Sequence, residues 1–198
     1  MIDQQKKNRL FILLIFGMAI IPFTIAWMLG GKAPFIEGKT NKGQLITPVV
    51  ATERSDLVGL DVFSTDNIAE LKGHWVTLNV VPQDDCNKIC IDAIHKTKQL
   101  RLMMNKDLTR TRRAVIFLKD VQPEVANQWL LDDKVLLKVK PSAVLLNKIA
   151  GLRNGSIPDG LLLLMDPMGN LMMQYEPGFD PYKVKSDLMH LLRISQIG

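Results

Sequence analysis

Residues 73–90 read GHWVTLNVVPQDDCNKIC, and the remainder of the chain can be placed around this run. Trp75 to Val81 is β-branched and apolar and is bounded by Gly73 and Pro82, the signature of a buried strand. Asp84 and Asp85 follow, and either residue type suits a helix cap. A helix is predicted from about Cys86 to Asn105. Along it Cys86, Ile89, Cys90, Ala93, Thr97, Leu100 and Met104 share one face, while Lys88, Asp92, Lys96 and Arg101 fall elsewhere. The two cysteines then open the helix directly behind a buried strand.

Working toward the C-terminus, Ala114 to Leu118 (AVIFL) reads as a second strand. A helix is expected from Pro123 to Leu131, a short strand at Val135 to Val139, and a helix from Ser142 to Ala150 closed by Gly151. Leu161 to Met165 is a further buried strand. The turn Asp166-Pro167-Met168-Gly169-Asn170 joins it to Leu171–Tyr175 as a hairpin. The last helix spans Pro181 to Ile194, with Val184, Leu188, Leu191 and Leu192 inward. Helices alternating with buried strands, followed by a hairpin, predict an α/β fold: a mixed sheet flanked by helices.

Toward the N-terminus, residues 31–56 are rich in Gly, Lys, Pro and Thr and read as a linker, with a short strand at Leu45 to Val50. Residues 57–198 are assigned to the folded domain. Residues 10–30, LFILLIFGMAIIPFTIAWMLG, hold no charge and have the length of a bilayer-crossing helix. Pro22 is tolerated in such a helix, and Trp27 suits an interface. A cleavable signal would have a shorter apolar core and a small-x-small site, so an uncleaved transmembrane helix in the lipid bilayer is expected. Lys6, Lys7 and Arg9 in residues 1–9 outweigh the more dispersed Lys32, Lys39 and Lys42, which share their side with Glu37. By the positive-inside rule, the N-terminus is cytoplasmic and the domain lies across the membrane.

The net charge of +5 is modest. Basic residues are scattered among acids except for Arg110, Arg112 and Arg113. That cluster is read as a solvated loop and, lacking interleaved aromatics, not as a nucleic-acid site.

Two cysteines exclude a framework of structural disulfides. Residues four apart are neighbours on a helix, and a helix N-terminus favours the thiolate, the reactive and metal-binding form. Cys86 and Cys90 can thus form a disulfide, if the first turn allows it, or hold a soft ion such as Cu(I). The plain alternative is a pair of inert buried cysteines on an apolar face.

The run GHWVTLNVVPQDDCNKIC resembles the strand, loop and Cys-x-x-x-Cys helix start of the Sco (SenC) proteins, and SIPDGLLLLMDPMGNLMMQY resembles their late strand and Asp-Pro-x-Gly hairpin. The resemblance runs from about Leu57 to Ile194. The whole chain is also similar to small bacterial membrane proteins found beside oxidase genes. The family resemblance implies a thioredoxin-like fold and a role in cytochrome c oxidase biogenesis as a thiol-disulfide reductase or Cu(I)-handling accessory. It implies oxidase subunits or copper chaperones as partners, and an inner-membrane protein with a periplasmic domain. It also implies a cis-proline facing the cysteines, for which Ile157-Pro158 is the match.

The sequence departs from that family at the third copper ligand. Where a histidine is expected it reads Gly155-Ser156-Ile157-Pro158-Asp159-Gly160, and Ile91 replaces the proline after the second cysteine. His95 points away from the cysteine face by helical angle. His74 lies at the other end of the Trp75–Val81 strand, roughly 20 Å away. His190 is on the last helix. Met103, Met104, Met172 and Met173 are read as core filler, a use methionine suits. A copper site with a histidine ligand is therefore not expected. The rival functions are a docking scaffold with a degenerate site, or a general periplasmic thiol oxidoreductase. N-terminal sequencing of the mature chain is expected to begin at the N-terminus rather than near Ala33, because residues 10–30 are long enough to remain as an anchor.

Overall fold

The computed structural model describes residues 2–30, 40–130, 133–195 and 197, which form two compact units, Met1–Thr40 and Asn41–Gly198. In the first unit, α1 (Ile2–Gly30) is a single helix with Pro22 inside it. Its segment Gln4–Met28 is long and apolar enough to cross a membrane, with mean hydropathy 2.5, and its large apolar side chains from Leu10 to Met28 are exposed. By length and composition it is a candidate membrane span. The flanking residues Lys32, Glu37 and Lys39 lie outside the described residues.

The second unit runs β1 (Gln44–Ala51), β2 (Leu57–Gly59), α2 (Val62–Asn67), β3 (Trp75–Val81), α3 (Lys88–Leu102), β4 (Thr111–Phe117), α4 (Pro123–Trp129), β5 (Leu137–Pro141), α5 (Ala143–Gly151), β6 (Leu162–Met165), β7 (Asn170–Tyr175) and α6 (Pro181–Ile194). The strands form one sheet in the order β1-β7-β6-β3-β4-β5-β2. β3, β4 and β5 are parallel, and the pairings of β6, β7, β1 and β2 are antiparallel. The predicted mixed α/β sheet is present.

β3 is buried at every residue, as its unbroken apolar run requires. Val76, Leu78 and Val80 pack with Ala114, Ile116, Leu163 and the α5 residues Leu145 and Ile149. Trp75 faces the other way, onto Ala93 and Leu100 of α3 and Val184 and Leu188 of α6. Met104 and Met173 are buried in that second cluster, with Met103 and Met172 packed against it, as expected of core filler.

Thr77 and Asn79, also on β3, join a buried polar set beneath α3. The Thr97 hydroxyl donates to Asn79 Oδ1 at 2.8 Å, and Arg113 donates to the Ile94 carbonyl and pairs with Asp133. The reading of Arg110, Arg112 and Arg113 as a solvated loop is thus corrected. Arg112 and Arg113 lie in β4, Arg113 is 3% exposed, Arg112 pairs with Glu70, and Arg110 donates to the carbonyls of Leu192 and Ser195. A buried guanidinium persists because its carboxylate partner and carbonyl acceptors replace water.

The linker boundary also moves. Residues 31–39 of the expected 31–56 linker lie outside the described residues, but Gln44–Ala51 is an edge strand on β7 and Arg54–Asp56 is a 3-10 turn of the domain. Ile46 is buried, so pairing with β7 and one inward side chain hold β1 in the sheet. The entry of the chain is fixed by Asp187 of α6. Its carboxylate accepts from the backbone N–H groups of Lys42 and Gly43, each at 2.8 Å, and from the Tyr175 hydroxyl at 3.0 Å. Burial, reinforced by the Asp187 charge, pushes the Tyr175 phenol far above its ordinary value. A Cβ on Gly43 would lie 2.6 Å from the Tyr175 ring, so only glycine lets the backbone come this close.

Asp187→Ala is expected to lower stability by about 3 kcal/mol, because three donors lose a charged acceptor. Tyr175→Phe, which removes one of the three bonds, should cost about 1 kcal/mol. Urea unfolding of the full chain in detergent measures both. Amide exchange at Lys42 and Gly43 should accelerate in Asp187→Ala.

Candidate functional site

At the C-terminal end of β3 the chain turns through Pro82 and the exposed Asp84 and Asp85, then enters α3. The cap is Asn87, not either aspartate. Its Oδ1 accepts from the N–H groups of Ile89 at 3.0 Å and Cys90 at 3.1 Å. This corrects the expectation that Cys86 lies in the first turn: Cys86 precedes the cap, and Cys90 is the third helical residue. The helix ends at Leu102 rather than Asn105, which takes a positive φ of 48°.

Cys86 and Cys90 are joined by a disulfide, with their Cα atoms 5.3 Å apart, inside the usual range for such a bridge. Cys86 is 7% exposed and Cys90 is 1% exposed. They pack with Val81, Ile94, Val115 and Phe117, and with Ala126 and Leu130 from and just beyond α4. A cleft of about 180 Å³ between α3 and α4 borders this cluster, lined by Ile91, Ile94, His95, Trp129, Leu130 and Asp133 among others.

The segment before β6 lies on the same helix end. Asn87 Nδ2 donates to Asp159 Oδ2 at 2.7 Å, while Asp159 Oδ1 is buried with no hydrogen-bond partner among the described residues. Gly160, at φ +82°, packs so closely that a Cβ there would meet Ile89 Cγ2 at 2.9 Å and the Ile89 carbonyl oxygen at 3.1 Å. Asn87 and Asp159 were not singled out from sequence as site residues. Asn87 carried a readable signal, a cap-type residue just before the helix, whereas Asp159 is brought to it only by the fold.

The cis-proline expectation is corrected. The cis peptide among the described residues is Thr47–Pro48, so Ile157–Pro158 is trans. Pro158 opens a four-residue turn in which Leu161 N–H donates to the Pro158 carbonyl at 3.4 Å and Gly160 supplies the positive φ. That turn reverses the chain without a cis bond, and trans is the ordinary state of X–Pro.

Each of the three histidines has its own surroundings. His74 precedes β3 and contacts the Glu70 carbonyl through Nδ1 at 2.9 Å. His95 is exposed along α3, and His190 on α6 contacts Arg193 at 3.0 Å. No group of three His, Cys, Asp or Glu side chains among the described residues is placed to hold a metal ion. The donor set therefore does not fit a three-ligand copper site. Two thiolates, released by reduction, remain suited to Cu(I).

A mixed sheet with a cysteine pair at the strand-to-helix corner defines a thioredoxin-like domain. The family described as transmembrane-like, thioredoxin-like, C-terminal domain matches residues 75–195, more than half of the chain, and the chain belongs to it. Among solved structures, yeast Sco1 with copper bound superposes with a TM-score of 0.54 at 14% identity, covering 80% of this chain and 96% of that one. Apo Sco1 from Thermus thermophilus gives 0.54 at 14% identity over 78% and 99%. BsSco, a member of the Sco family of cytochrome c oxidase assembly proteins, gives 0.51 at 13% identity over 79% and 98%. These likenesses establish a shared fold. No curated protein matches the sequence.

Gly160→Ala is expected to destabilise the domain by more than about 1 kcal/mol, since it combines a positive φ with a clash against α3. The change should be read from thermal or urea unfolding, and amide protection at Ile89 and Cys90 should fall with it.

Proposed function

We propose that the chain is a membrane-anchored, thioredoxin-like accessory of cytochrome c oxidase biogenesis that exchanges thiols, or carries Cu(I) as cargo, through Cys86 and Cys90. The observation that supports this most is the cysteine pair bridged at the strand-to-helix corner of a fold shared with Sco proteins. In the dithiol form, Cys86 is the attacking thiolate because it is the less enclosed sulfur. It cleaves a partner disulfide, forms a mixed disulfide and releases one partner thiol. Cys90 then attacks that mixed disulfide, leaving the partner as two thiols and this chain as its disulfide. Two electrons pass to the partner, and each departing sulfur takes up a proton. As copper carrier, the same dithiol would lose its protons and bind Cu(I) by two sulfurs.

The apolar α1 supports an inner-membrane anchor, and Lys6, Lys7 and Arg9 support a cytoplasmic N-terminus with the domain in the periplasm. An oxidising compartment of that kind is one in which a disulfide persists. Oxidase subunits or their copper chaperones are the partners this reading calls for.

Full-length protein in detergent, reduced and titrated with Cu(I) against a colorimetric competitor, is the direct test, alongside thiol trapping of the disulfide. Cys86→Ser is expected to abolish both the bridge and Cu(I) binding. His74→Ala, His95→Ala and His190→Ala should keep Cu(I) affinity within about threefold, because each lies away from the sulfurs. A tenfold or greater loss in any histidine variant would place a ligand that this reading omits. A native pair that exchanges with no disulfide and binds no Cu(I) would favour a docking scaffold.

A further inference from the structure

A reduced sulfur at a helix start is ordinarily stabilised by the unpaired N–H groups of the first turn. Here two of those donors, at Ile89 and Cys90, are already taken by Asn87 Oδ1. The Asn87 side chain is in turn held in place from a second element, through its Nδ2 donation to Asp159 Oδ2 at 2.7 Å. Gly160, the next residue, is seated against Ile89, so the Asp159 segment is braced on the same turn of α3. Asp159 forms no ion pair among the described residues, and its second oxygen is buried without a donor. The side-chain bond that Asp159 makes on this turn is the one that holds the Asn87 amide.

We propose that Asn87, held by Asp159, withholds the first-turn N–H groups of α3 from the reduced sulfurs and thereby biases the Cys86–Cys90 couple toward its disulfide, making the dithiol a stronger reductant. Asn87 and Asp159 are positioning residues. Neither forms a bond to the partner, and Asp159 acts mainly through Asn87. The couple is the ordinary one: two glutathione thiols give two electrons and two protons, the Cys86–Cys90 bond breaks, and glutathione disulfide forms. The inference rests on the exchange reading above.

The test equilibrates full-length protein in detergent with glutathione buffers and quantifies dithiol and disulfide by thiol trapping. Asn87→Ala is expected to shift the equilibrium about fivefold toward the dithiol, and Asp159→Ala to shift it the same way. In the Asn87→Ala background, Asp159→Ala should change the ratio by less than about twofold, because its intermediary is gone. Asn87→Ser, which keeps a capping oxygen too short to reach Asp159, should return the ratio toward native and be insensitive to Asp159→Ala. Near-ultraviolet circular dichroism confirms that each variant is folded, and Asp159→Asn, which keeps the acceptor for Asn87 Nδ2 and removes only the charge, should leave the ratio within about twofold of native. Shifts that add in the double variant, or variants that leave the ratio native, overturn the proposal while the exchange reading stands. A native pair that never equilibrates with glutathione overturns both.

Discussion

The β3 strand is hydrogen-bonded on both sides and covered on both faces, so its position leaves little freedom. Its C-terminal end determines where the loop of residues 82–87 begins, and the packing of α3 on β3 and β4 determines where that loop must finish. Cys86 lies late in this loop, one residue before the Asn87 cap, and Cys90 is the third residue of α3. The bridge therefore joins a loop residue to the first turn of a helix that is itself packed down by Ala93 and Leu100.

Beneath α3, β3 gives up part of its apolar face to Thr77 and Asn79, and β4 places Arg113 opposite them. A purely apolar alternative would pack as well, so the polar set has a different effect: it allows only arrangements of α3 in which Thr97 meets Asn79 and the Ile94 carbonyl meets Arg113. Buried polar groups discriminate between registers more sharply than apolar ones, because a shifted register leaves them without partners. The helix that carries Cys90 is thus indexed along its axis by side chains one to two turns beyond the cysteine.

The elements with a clean signal were legible from sequence: the apolar runs of β3, β4 and β6, the Asp166–Asn170 turn, and α6 with its Pro181 start. β2 and α2 were not, because three and six residues carry too little periodicity to distinguish them from loop. β1 was visible as a short strand, but its place in the sheet depends on β7, more than a hundred residues later. The cysteines were legible as a pair because type and spacing are local. Asp159 was passed over, since its contact with Asn87 spans 72 positions. Arg113 was misread because its neighbours Arg110 and Arg112 reach the surface while it turns inward, a distinction that strand alternation makes and composition does not.

Asp187 clasps the backbone at Lys42 and Gly43, where the chain enters the sheet domain. Mechanically, it is the first knot that a pull on the chain would meet. Beyond it, a pull would load β1 along its pairing with β7, at the sheet edge, with β7 and β6 between that edge and β3. A load entering at Lys42 would therefore meet a carboxylate clasp and a peripheral ladder first. The corner that holds the two sulfurs lies at β3, two strands further in from that ladder.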